Sequence, residues 1–206
     1  MMKEILYILL DNYADHEIPF LAQAITTDEV GLRQNPKYAN KIVAATMAPV
    51  NSISGFKMMP DYTFDTIPAD YAAIVLIGGY GWQAPNADKV TPIVANAVMR
   101  GVPVGAICNA ASWMASKGFL NGIKHTGNGL DQLKLWGGDN YTNEAGYVNA
   151  QAVTDGYIVT ANGTGYLDFA VEMLRLLEND TPEMIDRYHM FFKMGMCEIM
   201  AMYGGK

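Results

Sequence analysis

Cysteine is scarce in this chain of 206 residues. There are two, Cys108 and Cys197, far apart in sequence. That excludes a disulfide framework and suits a reducing compartment, so a cytoplasmic protein is expected. Neither cysteine has a second cysteine or a histidine at metal-ligand spacing, which argues against a zinc site. Histidine is nearly as rare: His16, His125 and His189 are the only three. Cations are outnumbered, with 14 Lys and Arg against 21 Asp and Glu and a net charge of -7. Such a balance disfavours nucleic acid and anionic membrane surfaces as partners. No apolar run approaches the ~20 residues of a membrane span. The run Ile5–Leu10 is too short for the core of a secretion signal and follows a Lys-Glu pair, so no leader is expected. Internal repeats and low-complexity segments are also missing.

What remains is an ordinary globular composition, half apolar and 17% charged, in a length that fits a single domain over residues 1–206. Short apolar runs of strand length recur: 4–10, 41–47, 71–77, 102–107 and 157–161. Helical patterns separate them, over 16–27, 88–100, 109–118 and 163–177, with Gly101 and Gly118 as stops. Residues 33–40 and 121–131 read as loops. Residues 50–66 read as a small hairpin or edge excursion, and 141–153 alternate weakly. After the break at Asn179-Asp-Thr-Pro182, a last helix from about Glu183 is rich in Met and aromatics. Its apolar character suits core or dimer packing, and a homodimer is expected. Strands alternating with helices predict a mostly parallel α/β sheet covered on both faces. In such sheets ligands bind beyond the carboxyl ends of the strands.

Three loops leave that edge, after Leu10, after Ile77 and after Ile107. They carry Glu17, Gly78-Gly79 and Cys108. Cys108 stands at a strand-to-helix corner with small residues two before (Ala106) and two after (Ala110), the layout of a nucleophile elbow. The helix that begins there aims N–H groups and a positive dipole end at the sulfur, which favours thiolate. This environment favours a reactive thiol over a packing cysteine; Cys197, in its Met-rich helix, reads as packing. Gly78-Gly79 is either plain turn chemistry or a place where the Gly79 N–H approaches a substrate oxygen, with the Asn109 N–H as second donor. Glu17 is either an exposed first-turn charge or a buried carboxyl, protonated beside the thiolate. No histidine follows Cys108. His16 and His125 read as surface or supporting residues rather than as a general base.

Five segments carry a resemblance: Asp11–Glu17 (DNYADHE), Leu76-Ile-Gly-Gly79, Ala106-Ile-Cys-Asn-Ala110, Lys124-His-Thr-Gly-Asn128 and Thr160-Ala-Asn-Gly163. In this order they resemble the ThiJ/PfpI family of the class I glutamine-amidotransferase-like superfamily, over about residues 3–178. The tail at about 182–203 resembles the C-terminal extension of a bacterial subgroup labelled protease or amidotransferase. The resemblance implies a flavodoxin-like three-layer sandwich, usually dimeric; no metal or organic cofactor is implied. It implies Cys108 as nucleophile, Glu17 as its protonated partner, and Gly79 and Asn109 as oxyanion donors; His16, His125, Gly78 and Asn128 are supporting candidates around them. Family members include intracellular proteases, chaperones, glyoxalases, deglycases and oxidative-stress sensors. Here Asn109 replaces the histidine that follows the cysteine in protease-like members. The loop Asn162-Gly-Thr-Gly165 lacks the His and acid of amidotransferases. Gly127 and Asn128 fall where several glyoxalase-like members carry a histidine. The expected chemistry is therefore thiolate addition to a small electrophile, a reactive carbonyl or amide, with a sensor or chaperone-like role without turnover as the alternative.

Overall fold

The computed structural model describes residues 2–204. The chain order is β1 (Lys3–Ile8), α1 (Pro19–Thr26), β2 (Thr27–Asp28), β3 (Gly31–Leu32), β4 (Tyr38–Ala44), β5 (Val50–Asn51), β6 (Lys57–Met58), β7 (Tyr62–Thr63), β8 (Ala73–Leu76), α2 (Thr91–Met99), β9 (Val104–Ile107), α3 (Asn109–Ser116), α4 (Leu130–Gly137), β10 (Ala152–Asp155), β11 (Ile158–Ala161), α5 (Tyr166–Leu176), α6 (Pro182–Met194) and α7 (Met196–Tyr203). Seven strands form the central sheet in the order β10-β11-β9-β8-β1-β4-β7. All its pairings are parallel except β10 with β11. This is the flavodoxin-like α/β sandwich expected from the sequence, with a C-terminal helical extension.

The continuous apolar runs are strands because both faces of the sheet are covered. Along β1 and its extension, Ile5, Tyr7 and Leu9 pack into one cluster, with α1 and α5. Leu6, Ile8 and Leu10 enter the other, with α2 and α3. The two-residue period of a strand sends successive side chains to opposite layers, so every position must be apolar.

Several boundaries differ from the sequence reading. Tyr38–Asn40, expected in a loop, is strand because it pairs with the start of β1. Residues 130–137, partly expected in a loop, form α4, which buries only Leu133 and Gly137. Leu130, Leu133 and Trp136 stand at helical spacing against the core, but the helix is only eight residues long and follows directly on a loop. The tail is two helices, since Gly195 at φ 86° stops α6 and starts α7. The starts of two expected helices are 3₁₀ turns, Asp15–Glu17 and Pro85–Val90.

From β1 the chain moves to β4 and β7 on one side, then crosses to β8, β9 and β11 on the other. The carboxyl ends of β1 and β8 therefore flank the point where the winding reverses, the usual ligand crevice of an open parallel sheet. Among the described residues no helix is long and apolar enough to cross a membrane.

Candidate active site

The corner at Cys108 is sharp. Its backbone lies at φ 60°, ψ -128°, and it is the residue immediately before α3. A non-glycine residue held there costs about 1–3 kcal/mol, which the surrounding structure must supply. Ala106 and Ala110 on either side are fully buried. Two glycines close over the cysteine. A Cβ on Gly78 would stand 2.5 Å from the Cys108 Cβ, and one on Gly163 would stand 3.0 Å from its Sγ.

Glu17 enters from the loop after β1. A hairpin, β5–β6, braces that loop: the Ile53 N–H donates to the Tyr13 carbonyl at 2.9 Å, and the Ser54 hydroxyl donates to Asp15 at 2.9 Å. The 3₁₀ turn Asp15–Glu17 then buries the Glu17 carboxyl, which is 1% exposed. Of the two alternatives open in the sequence, the structure adopts the buried one. Oε2 accepts the Gly78 N–H at 2.7 Å. Oε1 has no conventional hydrogen-bond partner among the described residues. It lies on the sulfur side, and the same Cβ on Gly163 would stand 3.5 Å from it.

Burial pushes the Glu17 carboxyl up to about 7, against the pull of the Gly78 N–H and of Cys108. The Cys108 thiol is also pushed up, by burial and by the nearby Glu17 charge, while Asn128 and the Asn109 N–H pull it down. The helix terminus alone predicts a lowered thiol; burial and the carboxylate outweigh it. Two neighbouring acids that interact this strongly lose their protons as a pair rather than singly.

An amide network surrounds the sulfur. The Gly163 N–H donates to Asn128 Oδ1 at 2.9 Å. That bond fixes which end of the amide faces inward, so Asn128 Nδ2 donates to Cys108 Sγ at 3.3 Å. Asn109 Oδ1 accepts from Gln132 Nε2 at 2.8 Å and from Asn128 Nδ2 at 3.2 Å, and Asn109 Nδ2 donates to the Gly79 carbonyl at 2.9 Å. The peptide joining Gly78 to Gly79 is pinned by its carbonyl, which accepts the Ala14 N–H at 3.0 Å. Gly79 itself has φ 125° and packs against Asn12 and Tyr13, where a Cβ has no room. Its own N–H donates to no group among the described residues.

All three histidines are accounted for, and none touches the sulfur. His16 is exposed at the rim, with Nε2 bonded to the Gly163 carbonyl at 3.2 Å. His125 is fully buried; its nitrogens meet the Ile123 carbonyl at 2.9 Å and the Tyr141 hydroxyl at 2.7 Å. As a supporting candidate for Cys108 it is therefore displaced: Asn128, three residues on, makes the contact instead. His189 lies on α6, 3.2 Å from Asp168. Gln132 carries no mark in the sequence that singles it out, and Gly163, though it ends one of the five segments of the resemblance, is given no role at the sulfur by it. Gln132 sits on α4, a helix of only eight residues. Gly163 follows a buried strand, a weak signal shared with every turn glycine. No group of three or more His, Cys, Asp or Glu side chains suited to a metal ion occurs among the described residues.

The sequence model of the DJ-1/PfpI family matches residues 3–176. An uncharacterized protease of Bacillus subtilis, YdeA, is 34% identical over 204 residues, covering 98% of both chains. The crystal structure of a DJ-1 superfamily protein from Agrobacterium tumefaciens superposes with a TM-score of 0.78 at 33% identity, over 92% of this chain and 97% of that one. A thiJ/pfpI family protein from Bacillus anthracis gives a TM-score of 0.84 at 26% identity, over 93% and 90%. The elbow cysteine, the glycine turn and the glutamate after β1 thus stand within a match that spans most of the chain, and the chain belongs to the DJ-1/PfpI family.

Proposed function

We propose that Cys108 is a nucleophile toward a small uncharged electrophile, a reactive carbonyl or amide, with Glu17 as proton shuttle. The observation that carries this reading is the buried Glu17 carboxyl whose Oε1 has only the sulfur to serve. The Cys108 proton passes to Glu17. The thiolate forms a C–S bond with the carbonyl carbon, and the carbonyl π pair moves onto oxygen. The free Gly79 N–H, with that of Asn109, holds the oxyanion. Glu17 returns its proton to give the neutral adduct. Without an imidazole at the sulfur, activation of water and protonation of a leaving amine both fall to the same carboxyl. That weighs against the peptidase chemistry in the name of the Bacillus relative and against glutamine hydrolysis.

The test is iodoacetamide alkylation of Cys108 against pH, in the wild type and in Glu17→Gln. The wild type is expected to show a step near pH 7, where the pair loses its first proton, and the variant to lose that step. A single titration near the free-thiol value of about 8.5 in both proteins sinks the proposal.

A second reading is a redox sensor without turnover. It is favoured by the partial exposure of Cys108 beside donors that suit a sulfur oxyanion. With peroxide as oxidant, the thiolate gains an S–O bond as the O–O bond breaks. Selective oxidation of Cys108 by mild peroxide, with no turnover of methylglyoxal, amides or peptides, favours this reading. We also infer a homodimer, supported by the apolar side chains that α7 leaves exposed, Met196, Met200 and Met202 each being more than half exposed, and a cytoplasmic location, supported by two cysteines that stay free.

A further inference from the structure

The C-terminal extension lies beyond the segment that defines the family, yet it is joined to the nucleophile by an unbroken series of contacts. Phe192 on α6 meets Phe20 on α1 edge to face, with ring centroids 5.0 Å apart. Phe20 stacks on Tyr166 at 5.2 Å. Tyr166 meets His16 edge to face at 5.7 Å. The His16 ring bonds the Gly163 carbonyl at 3.2 Å, and the Gly163 N–H holds the Asn128 amide that donates to Cys108. A second tie fixes the same end of the ladder: the Tyr188 hydroxyl donates to the Phe20 carbonyl at 2.6 Å.

We propose that α6 positions the nucleophile, the ladder Phe192–Phe20–Tyr166–His16 holding Gly163 by its carbonyl and, through the N–H on the other side of the same residue, the Asn128 amide against the sulfur. This rests on the reading of Cys108 as a reactive thiol. His16 and Phe192 are positioning residues; neither touches the sulfur. The Gly163 carbonyl is an acceptor, so His16 must present Nε2–H to it. With that donor gone, Gly163 is held on one side only, and Asn128 loses the rigidity of its anchor. Phe192 acts one layer further out, by limiting how far Phe20 and Tyr166 tilt. Rings in stacked and edge-to-face contact form a packed series in which a shift of one is passed to the next.

The experiment is the pH profile of iodoacetamide alkylation of Cys108, followed by mass spectrometry of its peptide; Cys197, exposed rather than packed as its Met-rich helix suggests, reports the reagent in the same molecule. His16→Ala is expected to slow Cys108 at neutral pH by about fivefold and to displace the profile, and Phe192→Leu, which keeps an apolar side chain on α6, by about twofold, the range of coupling through packed contacts. His16→Gln, which restores an N–H donor, should recover most of the rate. The double variant should be no slower than His16→Ala alone, because both act through one route. Met194→Ala, exposed on the same helix, should match the wild type. Effects of the two single variants that multiply in the double variant overturn the ladder. So does an unchanged profile in folded His16→Ala. A wild-type Cys108 that resists alkylation altogether removes the reactive thiol itself, a distinct outcome that overturns both readings.

Discussion

Glu17 is the residue whose setting departs furthest from what its chemistry prefers. A carboxyl raised to about 7 is protonated in the folded chain at pH 5, where the unfolded chain has already ionised. The native state therefore binds the extra proton, and stability falls as pH rises from about 4.5 to about 7. The full difference is of order 3 kcal/mol, since each tenfold change in proton affinity between the folded and unfolded chain is worth about 1.4 kcal/mol. Glu17→Gln keeps an acceptor for the Gly78 N–H but has no proton to lose. Urea unfolding at pH 5 and pH 8 should show a loss in the wild type that the variant lacks; equal losses would contradict the buried, raised carboxyl. Gly163 gives a steric counterpart. Alanine there brings a Cβ to 3.0 Å from Sγ, so the loop or the sulfur must shift. We expect a stability loss of about 1–3 kcal/mol in Gly163→Ala, typical of overpacking, with slower Cys108 alkylation. A variant as stable and as reactive as wild type would show that the loop is not seated on the sulfur.

Among the elements, α6 is started by local chemistry and held by tertiary packing. Thr181 precedes it and its hydroxyl accepts the Met184 N–H at 3.3 Å, with Pro182 in the first turn. Both are preferred in those places because they satisfy or forgo N–H groups that the helix itself leaves unpaired. Thr181→Ala should cost about 1 kcal/mol, read as a lowered midpoint of unfolding. The sheet elements are legible in the sequence because burial on both faces forces unbroken apolar runs, as in β1 and β8. α4 is not, because it is only eight residues long and two of its core-facing residues, Leu130 and Trp136, are only partly buried. The same reason hides Gln132 and its bond to Asn109. The 38–40 segment is silent because Tyr-Ala-Asn has no strand pattern of its own and is strand only by pairing with Lys3–Ile5.

On the scale of the whole molecule, α7 stands out. It follows Gly195, and it leaves three methionines more than half exposed. Under the proposed homodimer this is surface awaiting a second copy. Deleting residues 196–206 should convert the dimer to a monomer in light scattering while leaving the Cys108 profile in place. A wild-type chain that is monomeric at micromolar concentration would end the dimer inference.

The sequence by itself determined the strand runs, the cysteine corner with its small neighbours, the Gly78-Gly79 turn and the order of the three loops. These are local patterns, set by burial, turn sterics and chain direction, and they are written in adjacent residues. The tertiary structure alone decided which of the open readings of Glu17 holds and which groups close around the sulfur. Glu17, Asn128 and Gly163 come to Cys108 from 91, 20 and 55 positions away, on three separate loops. Burial of Glu17 depends on Gly78 and Gly163 closing over it, and no periodicity along the chain records that. Nor does any local signal tell that His125 turns to Tyr141 and leaves the sulfur to an amide. Desolvation is a property of the assembled site, and it sets the charge on this pair of acids.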